Sequence, residues 1–306
     1  MQKIPIIFFG THNFAATILK GLIASPLFSI ELVVTQPDKP AGRKKEIQKS
    51  PVKILAEKNN LKINQPKTLK NYKPQATSYK LAIVAQYGMI IPKNIIDAPK
   101  YGTINVHTSL LPKYRGASPI QTAIINGETE TGVTIMKMDE GLDTGPILIQ
   151  KSVKIGKDDT YPQLDSKLAQ IGLQGLLEAT LRYIEGKIKP KAQNDNLASD
   201  CKQLSRESGK INWKLSAQKL YNLYRGLMPW PGIWTTWNGQ RLKLIEIKPS
   251  DKKIKEGTVE VDNDKIFIGC SKNSIEVFKL QLEGKKAMNA KDFINGYQAI
   301  DGVILK

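Results

Sequence analysis

The run Ile4-Pro5-Ile6-Ile7-Phe8-Phe9, closed by Gly10, is apolar at every position rather than at every second one. A strand with no polar face has no side to turn to water, so it belongs inside a parallel sheet covered by helices. The next residues agree. Thr11-His12-Asn13 offers capping side chains for a helix from Phe14 to about Ala24, in which Phe14, Ile18 and Leu22 recur at helical spacing. Ile30 to Thr35 reads as a second strand, which completes a βαβ unit. No Gly-x-Gly-x-x-Gly follows the first strand, which argues against a dinucleotide site. Lys80 to Ala85 is another buried strand, and it feeds an apolar loop, Gln86 to Pro92, at the same sheet edge as Gly10. That loop either lines a slot for a flat heterocycle or simply covers the sheet.

Packing does not explain the stretch Asn105 to Pro119. Asn105 and His107 are two positions apart in a strand pattern, so a carboxamide and an imidazole share one face. A second glycine-bracketed turn, Asp139 to Pro146, supplies the carboxylate of Asp143. An amide donor, an imidazole and a carboxylate suit the transfer of an acyl or formyl group to an amine. Asn105 would stabilise the oxyanion, His107 would take the ammonium proton, and Asp143 would fix the tautomer. No serine or cysteine nucleophile is required if the amine attacks directly. The remaining histidine, His12, is expected to cap or face solvent.

At 306 residues, with 41% hydrophobic residues, the chain is long enough for two domains with separate cores. It lacks a membrane-length apolar run and an N-terminal leader pattern, so a cytoplasmic protein is expected. Cys201 and Cys270 have no motif spacing, and neither a disulfide framework nor a metal site is implied. The net charge of +18 points to a polyanionic partner, although 40 of the 46 basic residues are Lys, as compositional drift also produces. Residues 1–181 and 182–306 each hold 23 basic and 14 acidic residues, so the charge is not a tail. It is denser between Gln36 and Pro51, a proline-rich loop that is either solvated or a phosphate-gripping arm.

Further along, Val52 to Lys58 and Ser118 to Asn126 read as helices, and Thr131 to Met138 and Ile147 to Ile155 as strands. Tyr161 to Tyr183 reads as a long helix. Residues 187–210 are polar and read as a loosely structured linker. After a helix at Ser216 to Gly226 come short strands, with Asn238-Gly239 as a hairpin turn, which suggests a small OB-like barrel. Arg225 would reach phosphate or cap its helix.

Taken together, Asn-x-His-x-Ser-Leu-Leu-Pro-x-x-x-Gly at 105–116 and Gly-Leu-Asp-Thr-Gly at 141–145 resemble the folate-dependent formyltransferases. Supporting matches are Tyr-Gly-x-Ile-Ile-Pro at 87–92, Lys-Pro-x-Gly-Arg at 39–43, and Arg225 with Pro229-Trp230-Pro231. Asn212 and His12 depart from the family pattern, which has Asp and more often Pro there.

The resemblance implies an α/β chain: a Rossmann-like formyltransferase domain over 1–186, a linker over 187–210 and an OB-like β-barrel over 211–306. It implies transfer of the formyl group of 10-formyltetrahydrofolate to the α-amino group of methionyl initiator tRNA, with no metal, by a cytoplasmic monomer. Asn105, His107 and Asp143 correspond to the catalytic trio. Ser109, Leu110, Leu111 and Pro112, with Gln86, Tyr87, Gly88, Ile90 and Ile91, correspond to the folate-contacting loops. Lys39, Arg43, Lys44, Lys45 and Arg225 are the tRNA-contacting candidates. Two other readings stay open on the residues alone: an enzyme that formylates a small amine such as a sugar nucleotide, and a non-catalytic RNA-binding module.

Overall fold

The computed structural model describes residues 3–41, 46–74 and 78–306. Contacts divide the chain into two compact units. The first comprises Met1–Pro119, Glu130–Lys154 and Asp165–Lys202; the second comprises Ile120–Thr129, Ile155–Leu164 and Gln203–Lys306.

The first unit is built on seven strands: β1 (Ile4–Gly10), β2 (Phe28–Val34), β3 (Ile63–Asn64), β4 (Leu81–Ala85), β5 (Thr103–His107), β6 (Glu130–Lys137) and β7 (Ile147–Lys154). They lie in the order β7-β6-β5-β4-β1-β2-β3. Strands β1 to β5 pair in parallel, while β6 and β7 are antiparallel additions on the β5 edge. Ile6 to Phe9 and the whole of β4 are buried, as unbroken apolar strands in a covered sheet must be. The helix Asn13–Ala24 buries Phe14, Ile18 and Leu22, the residues picked out by their spacing. Its capping differs from expectation. His12 takes the N-cap position without a side-chain bond, and Thr11 Oγ1 instead donates to the Tyr87 carbonyl, tying the end of β1 to the loop after β4.

The proline-rich segment is more ordered than a loop. Lys39–Ala41 and Glu46–Gln48 form a short antiparallel ribbon. Arg43, Lys44 and Lys45 lie outside the described residues. The long helix Tyr161–Ile184 is present as expected, and Gly172 brings it close to Val106, Phe14 and Ile18. The stretch expected to be a loose linker is anchored over Gln193 to Cys201. Asp200 and Cys201 pair in parallel with Arg115 and Gly116, and the Arg115 N–H donates to the Ser199 carbonyl. Gln193, Asp195 and Ser199 bond to the protein, a distinction that composition cannot make.

The second unit holds β8 (Ile233–Trp237), β9 (Gln240–Ser250), β10 (Val259–Asp262), β11 (Lys265–Gly269), β12 (Ser274–Leu282) and β13 (Met288–Asn289), ordered β8-β9-β12-β11-β10 with β13 on β12. Asn238 and Gly239 both have positive φ, the backbone that a two-residue hairpin demands. The helix Ala217–Leu227 buries Leu220, Tyr224 and Leu227 against a core that includes Ile233, Trp237 and Phe293. Strands β8 and β10 do not pair with each other, so the observed element is an antiparallel sheet rather than a closed barrel of strands. The last residues touch both edges: Val303 accepts from the Val259 N–H, and Lys306 exchanges two backbone bonds with Thr236. Among the described residues no helix is long and apolar enough to cross a membrane.

Candidate active site

Strand β5 carries Asn105 and His107 to the edge of the sheet where β1 and β4 also end, and the loop after β6 brings Asp143 back to them. The Asn105 amide nitrogen lies 3.4 Å from Asp143 Oδ1, and His107 Nδ1 lies 3.5 Å from the same oxygen. The other carboxylate oxygen accepts from the Gly116 N–H at 2.9 Å. Across the ring, His107 Nε2 is 3.0 Å from the Tyr114 carbonyl. The imidazole is 6% exposed and is therefore held between two acceptors, a carboxylate and a carbonyl. A neutral ring has one N–H, so only the ring that has taken up a proton can satisfy both. The three residues proposed from sequence meet in one place.

Backbone geometry explains why this loop follows its path. Asp143 has φ +54°, a left-handed conformation that an aspartate adopts at some cost. Gly116, at φ +113°, would place any Cβ 2.5 Å from the Cys201 carbonyl oxygen, so the N–H that holds Asp143 is presented by a position that only glycine fits.

The loop Ser109 to Pro112 is held from below. Thr134 Oγ1 donates to the Ser109 carbonyl and accepts from the Leu111 N–H, while Gln150 Nε2 donates to the Leu111 carbonyl. The Ser109 hydroxyl donates to the Lys113 carbonyl. Ser109 and Leu111 are buried, and Leu110 and Pro112 are half-buried. In the other loop, the Tyr87 and Ile91 side chains turn into the core, with Tyr87 edge-on to Phe9. That leaves their backbone for a ligand, although the Tyr87 carbonyl is already taken by Thr11 Oγ1 and Gln36 Nε2. Ile90, at 91% exposure, stands out in water on this loop, and Leu142, at 69%, on the turn that carries Asp143. Met89 and Met138 from the same loops pack on one apolar cluster. Gln86 has φ +41° and donates to Asp165, a buried carboxyl that burial pushes up to about 6 against the lowering effect of that bond.

Arg225 requires a correction. Expected on the RNA-facing surface, it is 4% exposed and donates to the Gly156 and Asp159 carbonyls and to Asn222 Oδ1. Its Nε has no partner but is buried with the rest of the group, so the guanidinium presents no accessible face to phosphate. Lys39 is exposed, with its ammonium on Gln36. No group of three or more potential metal ligands occurs among the described residues.

Sequence reading also missed Gln193 and Arg115. Gln193 Nε2 donates to the carbonyls of Asp143 and Gly145, each at 2.8 Å. Arg115 donates to Gln193 Oε1 and to Asp195. Arg115 lay inside the motif and carried a signal. Gln193, in a polar stretch, carried none.

The formyl transferase family profile matches residues 2–180, and that of the formyl transferase C-terminal domain matches residues 203–298. A methionyl-tRNA formyltransferase of Caldicellulosiruptor saccharolyticus is 44% identical, the alignment covering 98% of this chain and 99% of the relative. One from Thermodesulfovibrio yellowstonii is 42% identical, covering 97% of each. Among solved structures, an N-formyltransferase from Helicobacter canadensis, crystallised with folinic acid and dTDP-3-aminofucose, superposes with a TM-score of 0.66 at 22% identity. That superposition covers 90% of this chain and 98% of the other and shows a shared fold.

Proposed function

The chain belongs to the formyl transferase family, over both of its domains, and from that premise we propose the way its residues carry out the reaction. The activity is methionyl-tRNA formyltransferase: the formyl group of 10-formyltetrahydrofolate passes to the α-amino group of methionine carried by initiator tRNA. The observation that carries the mechanism is the meeting of Asn105, His107 and Asp143 at the sheet edge.

When bound, the folate supplies the formyl group. Its heterocycle is assigned to the loops Gln86–Ile91 and Ser109–Pro112, where exposed Ile90, and Leu142 on the Asp143 turn, gain by being covered with a flat apolar surface. Asn105 donates to the oxygen on which negative charge builds as the amine adds. His107, with its one N–H on Asp143, accepts at Nε2 the proton that the amine must lose, and only then has a hydrogen to donate to the Tyr114 carbonyl. Asp143 holds the ring by Nδ1 and stabilises the charge the ring gains. With its carboxylate pinned by the Gly116 N–H, this stabiliser does not have to be reoriented during the reaction.

RNA holding is assigned to Lys39, Arg43, Lys44 and Lys45, and to the basic C-terminal unit. We read that unit as an OB-like barrel whose seam is closed by the tail bonds of Val303 and Lys306. We assign catalysis to 1–186, connection to 187–210 and RNA binding to 211–306, in a cytoplasmic monomer. The test is transfer from labelled formyl-folate to charged initiator and elongator tRNA at two salt concentrations. Selective labelling of the initiator, with a KM that climbs steeply with salt, is expected. Equal labelling of both tRNAs removes the initiator preference, and labelling of neither removes the assignment.

A further inference from the structure

Asp143 is held twice, and both holds lead to Arg115. Its carboxylate is fixed by the N–H of Gly116, the residue after Arg115. Its carbonyl is fixed by Gln193, whose Oε1 accepts from Arg115 Nε at 3.1 Å and Nη2 at 2.8 Å. The hydrogen bonds therefore run in a closed circuit from Arg115 through Gln193 and Asp143 to Gly116 and back along the chain.

Glutamine suits this place for a definite reason. Both hydrogens of its Nε2 are used, one on the Asp143 carbonyl and one on that of Gly145, while its oxygen faces a guanidinium. Glutamate would accept from Arg115 but turn an acceptor toward two carbonyls. Asparagine is one methylene too short to reach both sides. The clamp closes over a residue at φ +54°, where backbone left to itself relaxes toward negative φ. The contact it protects is already long: His107 Nδ1 and Asp143 Oδ1 are 3.5 Å apart, so a small retreat of the loop ends it.

We propose that Gln193 is a positioning residue for the formyl transfer reaction, holding the Asp143 loop so that its carboxylate stays on His107. This rests on the catalytic roles proposed above for Asp143 and His107. The bracing segment, residues 193 to 201, lies in the last stretch of the first unit, which ends at Lys202.

Gln193→Met and Gln193→Glu are compared with wild type, alone and in an Asp143→Asn background. Each single variant is expected to lower kcat by about 100-fold, the size of loss that follows a misplacement of about 1 Å. KM for the folate and for charged tRNA should stay within about twofold. In the Asp143→Asn background the same changes should cost nothing further, because the residue acts through that carboxylate. A second readout needs no substrate. The chain has only two histidines, so 15N-labelled histidine gives one ring to follow once His12→Gln removes the other. The His107 ring resonances of both Gln193 variants should move to where Asp143→Asn puts them. Losses in kcat that multiply in the double variants, or ring resonances that stay at the wild-type position, would overturn the proposal. A wild-type protein that transfers no formyl group would defeat the functional reading, while the ring resonances would still decide the clamp.

Discussion

Arg115 and Arg225 look alike when considered only as buried arginines: they are 8% and 4% exposed, and each donates to a side-chain amide oxygen. Their surroundings separate them. The bonds of Arg115 lead through Gln193 to a left-handed aspartate beside an imidazole, whereas those of Arg225 end on the Gly156 and Asp159 carbonyls and its guanidinium lies over Tyr221. One arginine therefore fixes the geometry of a site and the other fixes the fold of the second unit. Burial and charge are common to both, and only the destination of the hydrogen bonds tells them apart.

The strongest way to break this comparison is at its chemical end. His107→Ala should lower turnover by about 10² to 10⁴-fold, the usual contribution of a positioned base, with tRNA affinity nearly unchanged in a filter-binding assay. Turnover within tenfold of wild type would detach the Arg115 circuit from catalysis and leave two structural arginines. On the other side, Arg225→Ala should destabilise the protein by about 3 kcal/mol in a denaturant titration, because buried carbonyls and Asn222 lose their donor. Transfer per folded molecule should hold, and a selective loss of tRNA binding would return Arg225 to the RNA surface.

Asp165 sharpens the contrast from the opposite direction, since it is buried with Gln86 donating to it, and burial raises it to about 6 from 3.8. A carboxyl raised on folding favours the native state when protonated. That stability is fully present below about pH 4 and is lost as pH rises through about 6. Asp165→Asn should therefore raise stability at pH 7.5 by at most about 3 kcal/mol and flatten the decline between about pH 4 and pH 6 in thermal melts. A variant less stable at pH 7.5 would show that the carboxylate has partners that outweigh its burial. The smallest effect belongs to Arg115→Lys, which keeps the charge but not the fork. We expect kcat to fall by about tenfold with melting temperature nearly retained; a fall in melting temperature with kcat unchanged would class Arg115 with Arg225.

Local pattern made the first unit legible. The unbroken apolar run of β1 fits only a covered strand, and the spacing of Asn105 and His107 puts both on one face of theirs. The proline-rich loop and the linker were less legible because backbone pairing partners decide such segments: Lys39–Ala41 finds Glu46–Gln48, and Asp200–Cys201 finds Arg115–Gly116. Arg225 was misread for a related reason. An arginine at the end of an amphipathic helix looks solvated until the carbonyls it meets, more than sixty residues away in the chain, are known.

The sequence by itself determined the periodicities, the buried strands and the identities of the amide, imidazole and carboxylate, because these depend on neighbours within a few positions. Tertiary structure alone decided that Gln193 clamps Asp143, that Gly116 presents an N–H to it and that Arg225 is enclosed. Hydrogen bonds are directional over about 3 Å, and residues 27 or more positions apart acquire such directions only when the chain has folded.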